Sequence, residues 1–236
     1  MRRTALTTAA LSAAVLLTAC SADEGPGTSA APKASATRAK PISPTERLAQ
    51  LVITKGDISG KAVADVGDDF VFAESPDDVT VDKPACAPLA YAMNQLPLGD
   101  PTADLTRYVS DGIKGAATYI TLTTYADGAA ERTMAELSKA IDACGDGFTA
   151  KAEDSASAYD SVTSEEPVAP AGDETIAFRS TMTFSGASHT LHTQAVRRAD
   201  VIAVYFSVNG LAIANAQPSD GKLSTEVVKA QNRQLG

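Results

Sequence analysis

The sequence predicts an α+β domain in which helices flank a central antiparallel β-sheet, with one disulfide inside it. Three observations carry that expectation. The second half of the chain is a run of β-rich segments joined by short turn signals, and short links favour antiparallel neighbours. Strands do not alternate regularly with helices, which argues against a doubly wound parallel sheet. Ala130, Met134, Leu137, Ile141 and Cys144 recur at spacings of four, three, four and three, one face of an α-helix, with Cys144 on its buried side.

The elements follow in order. Ser43-Pro44-Thr45-Glu46 is a helix start: Ser43 caps, Pro44 suits the first helical position and Glu46 completes a capping box. Leu48, Leu51 and Val52 supply the apolar face and Gly56 ends the pattern. Asp69 to Ala73 reads as a strand with Phe70 and Phe72 on one face, and Val79 and Val81 as a second short one. Pro84 to Leu96 reads as a helix, and residues 97 to 112, rich in Pro, Gly and Asp, as loop. Ala117 to Tyr125 alternates Tyr and Thr against Ile120 and Leu122 and is a strand. Asp127 can cap the helix that ends at Cys144, with Gly145 placed for the C-terminal cap.

Strands are then expected at Phe148–Glu153, Ala158–Glu165, Thr175–Phe184, Thr190–Arg198 and Val201–Val208. Turn signals stand at Ser185-Gly186, Ala199-Asp200 and Asn209-Gly210. Pro218 to Gln234 closes the chain as a helix with Leu223, Val227 and Ala230 inward.

The first forty residues speak to compartment. Arg2 and Arg3 precede a charge-free apolar stretch over residues 5 to 17, a signal-peptide core too short for a transmembrane helix. It ends in Leu17-Thr18-Ala19-Cys20, which resembles a bacterial lipobox. The resemblance implies cleavage after Ala19 and a diacylglycerol on Cys20; the alternative is an ordinary secretory signal ending near a cysteine. Residues 1–19 are thus expected to be a signal peptide and 20–43, rich in Ser, Ala, Thr, Gly and Pro, a flexible tether. The domain would occupy 44–236. Two acyl chains hold where one is marginal, at about 0.8 kcal/mol per buried CH₂. The expected location is the extracytoplasmic face of the cell membrane, lipid-anchored.

Without Arg2 and Arg3 the chain keeps 18 basic against 29 acidic residues, a net charge of −11. Such a surface repels nucleic acid and anionic lipid heads. With Cys20 lipidated, Cys86 and Cys144 remain as an even pair in an oxidising compartment, and a disulfide between them is expected; two buried free thiols are the alternative.

Candidate chemistry is sparse. His189 and His192, three apart in a strand, point to opposite faces and cannot share a metal without a kink. Ser219-Asp220-Gly221-Lys222 matches a bare Ser-x-x-Lys, but the Lys-Thr-Gly companion is absent, and a helix N-terminus capped by Ser219 or Asp220 explains it. The acidic run Asp65, Asp68, Asp69, Glu74, Asp77, Asp78 and Asp82 lacks the EF-hand order and reads as a solvated rim. Glu165 and Glu166 are adjacent in a strand and diverge, which separates them for glycoside chemistry. No nucleophile elbow, zincin, Walker or dinucleotide motif occurs, so no catalytic residue, metal or cofactor is expected.

Leu48-x-x-Leu51 runs to Asp57-Ile58, and Cys86, the strand Tyr119–Tyr125, the helix Ala129–Cys144 and Gln194-Ala-Val-Arg197-Arg198 before Val201–Val208 follow along the chain. Together these features resemble the PknH-like extracellular domain of actinobacteria, which occurs outside a serine/threonine kinase and in secreted lipoproteins. The resemblance implies a sheet flanked by helices with a ligand cleft. The chain departs from it in having cysteines for one disulfide rather than two and no tryptophan. The expected function is a non-catalytic ligand-binding or sensor-type lipoprotein, its cleft lined by Phe178, Phe184 and Tyr205. Its partner would be a small-molecule or cell-envelope ligand. The alternative is an envelope interaction or scaffold lipoprotein that binds a protein partner and needs no pocket.

Overall fold

A computed structural model describes residues 41–67, 72–112, 115–153 and 155–236. Cys20, the expected signal segment and most of the expected tether lie outside them, as does most of the strand expected over Asp69–Ala73. The described residues build a ten-stranded sheet with five α-helices. In chain order these are α1 (Pro44–Leu51), β1 (Ala62–Asp65), β2 (Thr80–Val81), α2 (Ala87–Met93), β3 (Ala103–Ser110), β4 (Ala117–Thr124), α3 (Ala129–Ala143), β5 (Phe148–Ala152), β6 (Ser155–Ser164), β7 (Glu174–Phe184), β8 (Ala187–Arg198), β9 (Val201–Val208), α4 (Gly210–Ala214), β10 (Ser219–Gly221) and α5 (Thr225–Leu235). Across the sheet the order is β1-β3-β4-β9-β8-β7-β6-β5-β2 with antiparallel pairing throughout, and β10 adds a short parallel pairing to β8. The sheet outweighs the helices, so the expected α+β class holds with the balance tilted to β.

Each face of the sheet carries its own core. In β9 the alternation is complete: Ile202, Val204 and Phe206 belong to one core and Val201, Ala203 and Tyr205 to the other, all buried. The first core lies under α2 and α3, with Leu89, Met93, Met134 and Leu137 packed on Phe178 and Leu191. The second lies under α1 and α5, where Leu48, Ile53, Val227 and Val228 cover Ile120, Leu122 and Tyr205. Fully buried Gln231 joins the two helices of this layer: its Oε1 accepts from Ile53 N at 2.8 Å and its Nε2 donates to Leu51 O at 2.8 Å.

Local chemistry explains the ends of the elements. The Ser43–Glu46 capping box is formed, with Pro44 in the first turn. Cys86, in a 3-10 turn before α2, is bonded to Cys144 at the end of α3 with Cα atoms 5.9 Å apart, and both are fully buried. The bridge clamps α2 to α3. Gly147 (φ 75°), not Gly145, takes the left-handed turn after α3; a Cβ there would fall on the Tyr159 carbonyl.

Several expectations are corrected. Residues 103–110, read as loop, form β3, because Leu105 and Val109 face the second core while Thr106 and Tyr108 face the other side. The Pro and Gly before them hid that alternation. Gly128, not Asp127, occupies the N-cap of α3. The closing helix starts at Thr225 behind a Ser224 cap, and the Ser219–Gly221 stretch assigned to it is β10. Asn209 does not make a hairpin turn; it caps α4, accepting from Ala212 N at 3.0 Å.

Candidate functional site

Register across three strands builds an aromatic row. Tyr108 of β3 pairs with Tyr119 of β4, and Tyr119 with Phe206 of β9. The Tyr108 and Tyr119 rings meet edge to face with centroids 5.3 Å apart, and Tyr119 and Phe206 stack at 6.2 Å. Thr193 of β8 and Phe178 of β7 continue the row in register. Helices α2 and α3 cover the Phe178 end, while the tyrosine end lines open space. Burial, then the neighbouring Tyr108, pushes the Tyr119 phenol above its ordinary range, so it stays a neutral donor.

Two cavities adjoin along this row. One of about 570 Å³ is lined by Tyr108, Tyr119, Asp65, Val208 and Leu211, among others. A second of about 370 Å³ is lined by Phe206, Val208, Met93, Met182, Phe184 and Ile213, among others. Val208 belongs to both. Both fall in the size range of small-molecule sites, about 300–1,000 Å³. A third, of about 220 Å³, surrounds the Arg47–Asp200 ion pair, whose charges are already matched at 2.5 Å.

The second cavity opens where the sheet loosens. A bulge between Tyr159 and Ser161 ends the β6–β7 register at Tyr159–Met182, and Ser155, Ser157 and Phe184 beyond it line the space. On the other side β9 pairs with β8 only as far as His192–Ser207, and α4 crosses before β10 resumes the pairing at Leu191. Leu211 and Ile213 of this one-turn helix face different cavities. Phe184 and Leu211 are 45% and 42% exposed, two of the four exposed large apolar residues among those described.

The turn after α2 supplies a polar wall. Leu96 N donates to Tyr91 O at 3.1 Å, a Schellman closure that puts Gln95 in the left-handed region (φ 63°) without glycine. Thr121 Oγ1 donates to Gln95 O at 3.5 Å, and Tyr125 Oη donates to Leu98 O at 2.7 Å, pinning this turn to β4. Gln95 lines the second cavity, and its Oε1, like Thr193 Oγ1, is buried without a hydrogen-bond partner among the described residues. Asn94 Nδ2 donates to Tyr159 Oη at 3.1 Å and to Ala90 O at 2.7 Å.

Of the three aromatics expected to share a cleft, Phe184 lines the second cavity. Phe178 lies fully buried under the helices on the same face. Tyr205 lies on the opposite face, where its hydroxyl donates to Asn232 Oδ1 at 2.5 Å. The three do not surround one space, because adjacent strand residues 205 and 206 point to opposite faces and Phe206 takes the cleft side. Neither Tyr108 nor Tyr119 was expected in the cleft: Tyr108 fell in the supposed loop, Tyr119 was read only as part of its strand, and register brings the two together.

The remaining polar residues serve the fold. His189 Nδ1 lies 2.9 Å from Ser219 Oγ, and His192 bridges Glu165 at 2.9 Å and Asp220 at 2.6 Å. The two histidines thus engage consecutive residues of β10. Lys222 approaches Asp220, not Ser219, so the Ser-x-x-Lys spacing assembles no dyad in this strand. Within the acidic run, Asp65 pairs with Arg107, Asp78 caps at Ser75 and Asp82 accepts from Thr149 N at 2.9 Å. Asp68 and Asp69 lie outside the described residues.

No family model matches the chain, and no curated protein matches it. Among solved structures the chain is similar to the extracellular domain of PknH from Mycobacterium tuberculosis, with a TM-score of 0.49 and 12% identity over 83% of this chain and 96% of that one.

Proposed function

We propose that the chain is a lipid-anchored extracytoplasmic lipoprotein whose domain binds a ligand in the aromatic-floored cleft without transforming it. The observation that carries this is the registered row Tyr108–Tyr119–Phe206 beneath two adjoining cavities. Aromatic floors with few polar groups are the ordinary make-up of small-molecule sites. A binding role is supported by the lining, which is mainly aromatic and aliphatic, while the Asp65 carboxylate is already paired with Arg107. The lipobox at Leu17–Cys20 and the Ser/Ala-rich segment after it support the anchor and tether.

The test is binding of the uncharged fluorescent probe N-phenyl-1-naphthylamine to the full chain, with lipid background subtracted. The expected result is saturable one-to-one binding that Tyr119→Ala weakens roughly tenfold, the loss of one good aromatic contact. Absence of saturable binding removes the ligand reading. Mass spectrometry of the Cys20 peptide tests the anchor, and an unmodified cysteine removes it.

The rim favours a second reading, docking of an envelope protein, because exposed Phe184 and Leu211 flank the opening. Cross-linking from residue 184 in intact cells separates the two: a stoichiometric protein adduct supports docking.

A further inference from the structure

Resting on the ligand-binding reading above, we infer that the cleft takes one elongated, uncharged apolar chain, such as a long-chain alcohol or its neutral ester, lying across both cavities with its hydroxyl at the Tyr108–Asp65 end.

Shape comes first. The floor runs without interruption from Tyr108 through Tyr119 to Phe206, and the second cavity extends the lining to Met182 on β7. From β3 to β7 the sheet order crosses four strand spacings, about 19 Å at roughly 4.8 Å each. That matches an extended chain better than a compact ring system. Val208 belongs to both cavities and forms the waist between them.

Charge comes second. Among the described residues lining the second cavity none is charged, so an ion placed there would lose its hydration without a counter-ion. Met93 and Met182 supply polarisable, adaptable walls suited to a flexible chain. At the other end Asp65 and Arg107 are matched to each other, and the Arg107 guanidinium also donates to the Thr106 carbonyl, so neither gives an anionic head a free counter-ion. Tyr108 and Tyr119 line this end, and their hydroxyls are groups of the right kind for a hydroxyl or ester head. The acidic surface of the whole chain acts in the same direction against fatty acids.

The experiment is photolabelling of the full chain, anchored on phosphatidylcholine vesicles, with diazirine-bearing hexadecanol, diazirine-bearing hexadecanoate and a small phenyl diazirine in parallel. Labelled peptides are then mapped by mass spectrometry. The alcohol should label peptides containing Tyr119 and Met182 roughly tenfold more than the carboxylate does, since a carboxylate finds no free counter-ion at either end of the cleft. Val208→Trp, which fills the waist, should abolish alcohol labelling at one of the two ends while the small probe still labels both. Leu211→Asp, at an exposed position, should weaken alcohol labelling without threatening the fold. Equal or stronger labelling by hexadecanoate overturns the uncharged class. Two-ended alcohol labelling that survives Val208→Trp overturns the bridging pose. If the small probe labels the cleft but neither long chain does, this inference fails and ligand binding stands; if no probe labels it, the binding reading fails as well.

Discussion

Replacing Cys86 and Cys144 together by alanine should cost about 5–6 kcal/mol. The bridge closes a loop with a sequence separation of 58, which in the chain-entropy model contributes about 4 kcal/mol by restricting the unfolded chain. Both sulfurs are fully buried in the first core, and each leaves a methyl-sized void worth about 1 kcal/mol. For a domain of this size each kcal/mol lowers Tm by about 2–4 °C, so the variant should melt roughly 10–24 °C lower. Guanidinium unfolding followed by circular dichroism, without reductant, is the assay. The freed unfolded chain exposes more surface, so the m-value should rise. Because neither sulfur is accessible, native wild-type protein should resist dithiothreitol until it unfolds. A loss below about 1 kcal/mol with an unchanged m-value would refute the loop-closure account. The same bridge anchors the start of seven-residue α2, whose far end carries Asn94 and Gln95 into the cleft wall.

Gln95→Gly should stabilise the domain by about 0.5–1 kcal/mol, since glycine takes the left-handed C-terminal turn without the Cβ penalty, while the cleft loses its amide; denaturation and probe binding read the two effects. Tyr125→Phe should cost about 1–2 kcal/mol by leaving Leu98 O without the 2.7 Å hydrogen bond. Burial pushes the Tyr125 phenol up to about 12, so its contribution is full below the ordinary tyrosine value near 10 and is lost as pH rises towards 12; the phenylalanine variant should lack that part of the alkaline loss. Asp200→Asn should weaken the protein at neutral pH. The Arg47 hydrogen bond holds the Asp200 carboxyl below its ordinary range, so its contribution is present above pH of about 4 and vanishes as pH falls through the lowered range. The wild-type and variant melting curves should therefore converge in acid.

Local signals in the sequence were enough for the elements whose stability is local. The Ser43–Glu46 box, the alternation of β4 and the apolar stripe of α3 each appear within one helix or one strand, and each is present. Pairing of Cys86 with Cys144 was also accessible, by counting. What escaped depends on partners far along the chain. β3 is a strand because β1 and β4 sit on either side of it, although Pro97, Gly99 and Pro101 just before it signal loop. β10 and α4 exist because β8 outruns β9 and leaves an edge to be covered. The cleft is legible only in part for the same reason. Strand periodicity separates Tyr205 from Phe206, but only register with Tyr119 determines which of them reaches the open face.

The central claim, that this face of the sheet holds a ligand, is tested most directly by methionine-methyl NMR of the full chain with ¹³C-labelled methionine. Met93 and Met182 line the second cavity, whereas Met134 is buried in the helix-covered core and lines neither. Titration with an uncharged long-chain alcohol should shift the Met93 and Met182 methyl resonances saturably and leave Met134 in place. Shifts absent from all three, or equal at Met134, would contradict the account.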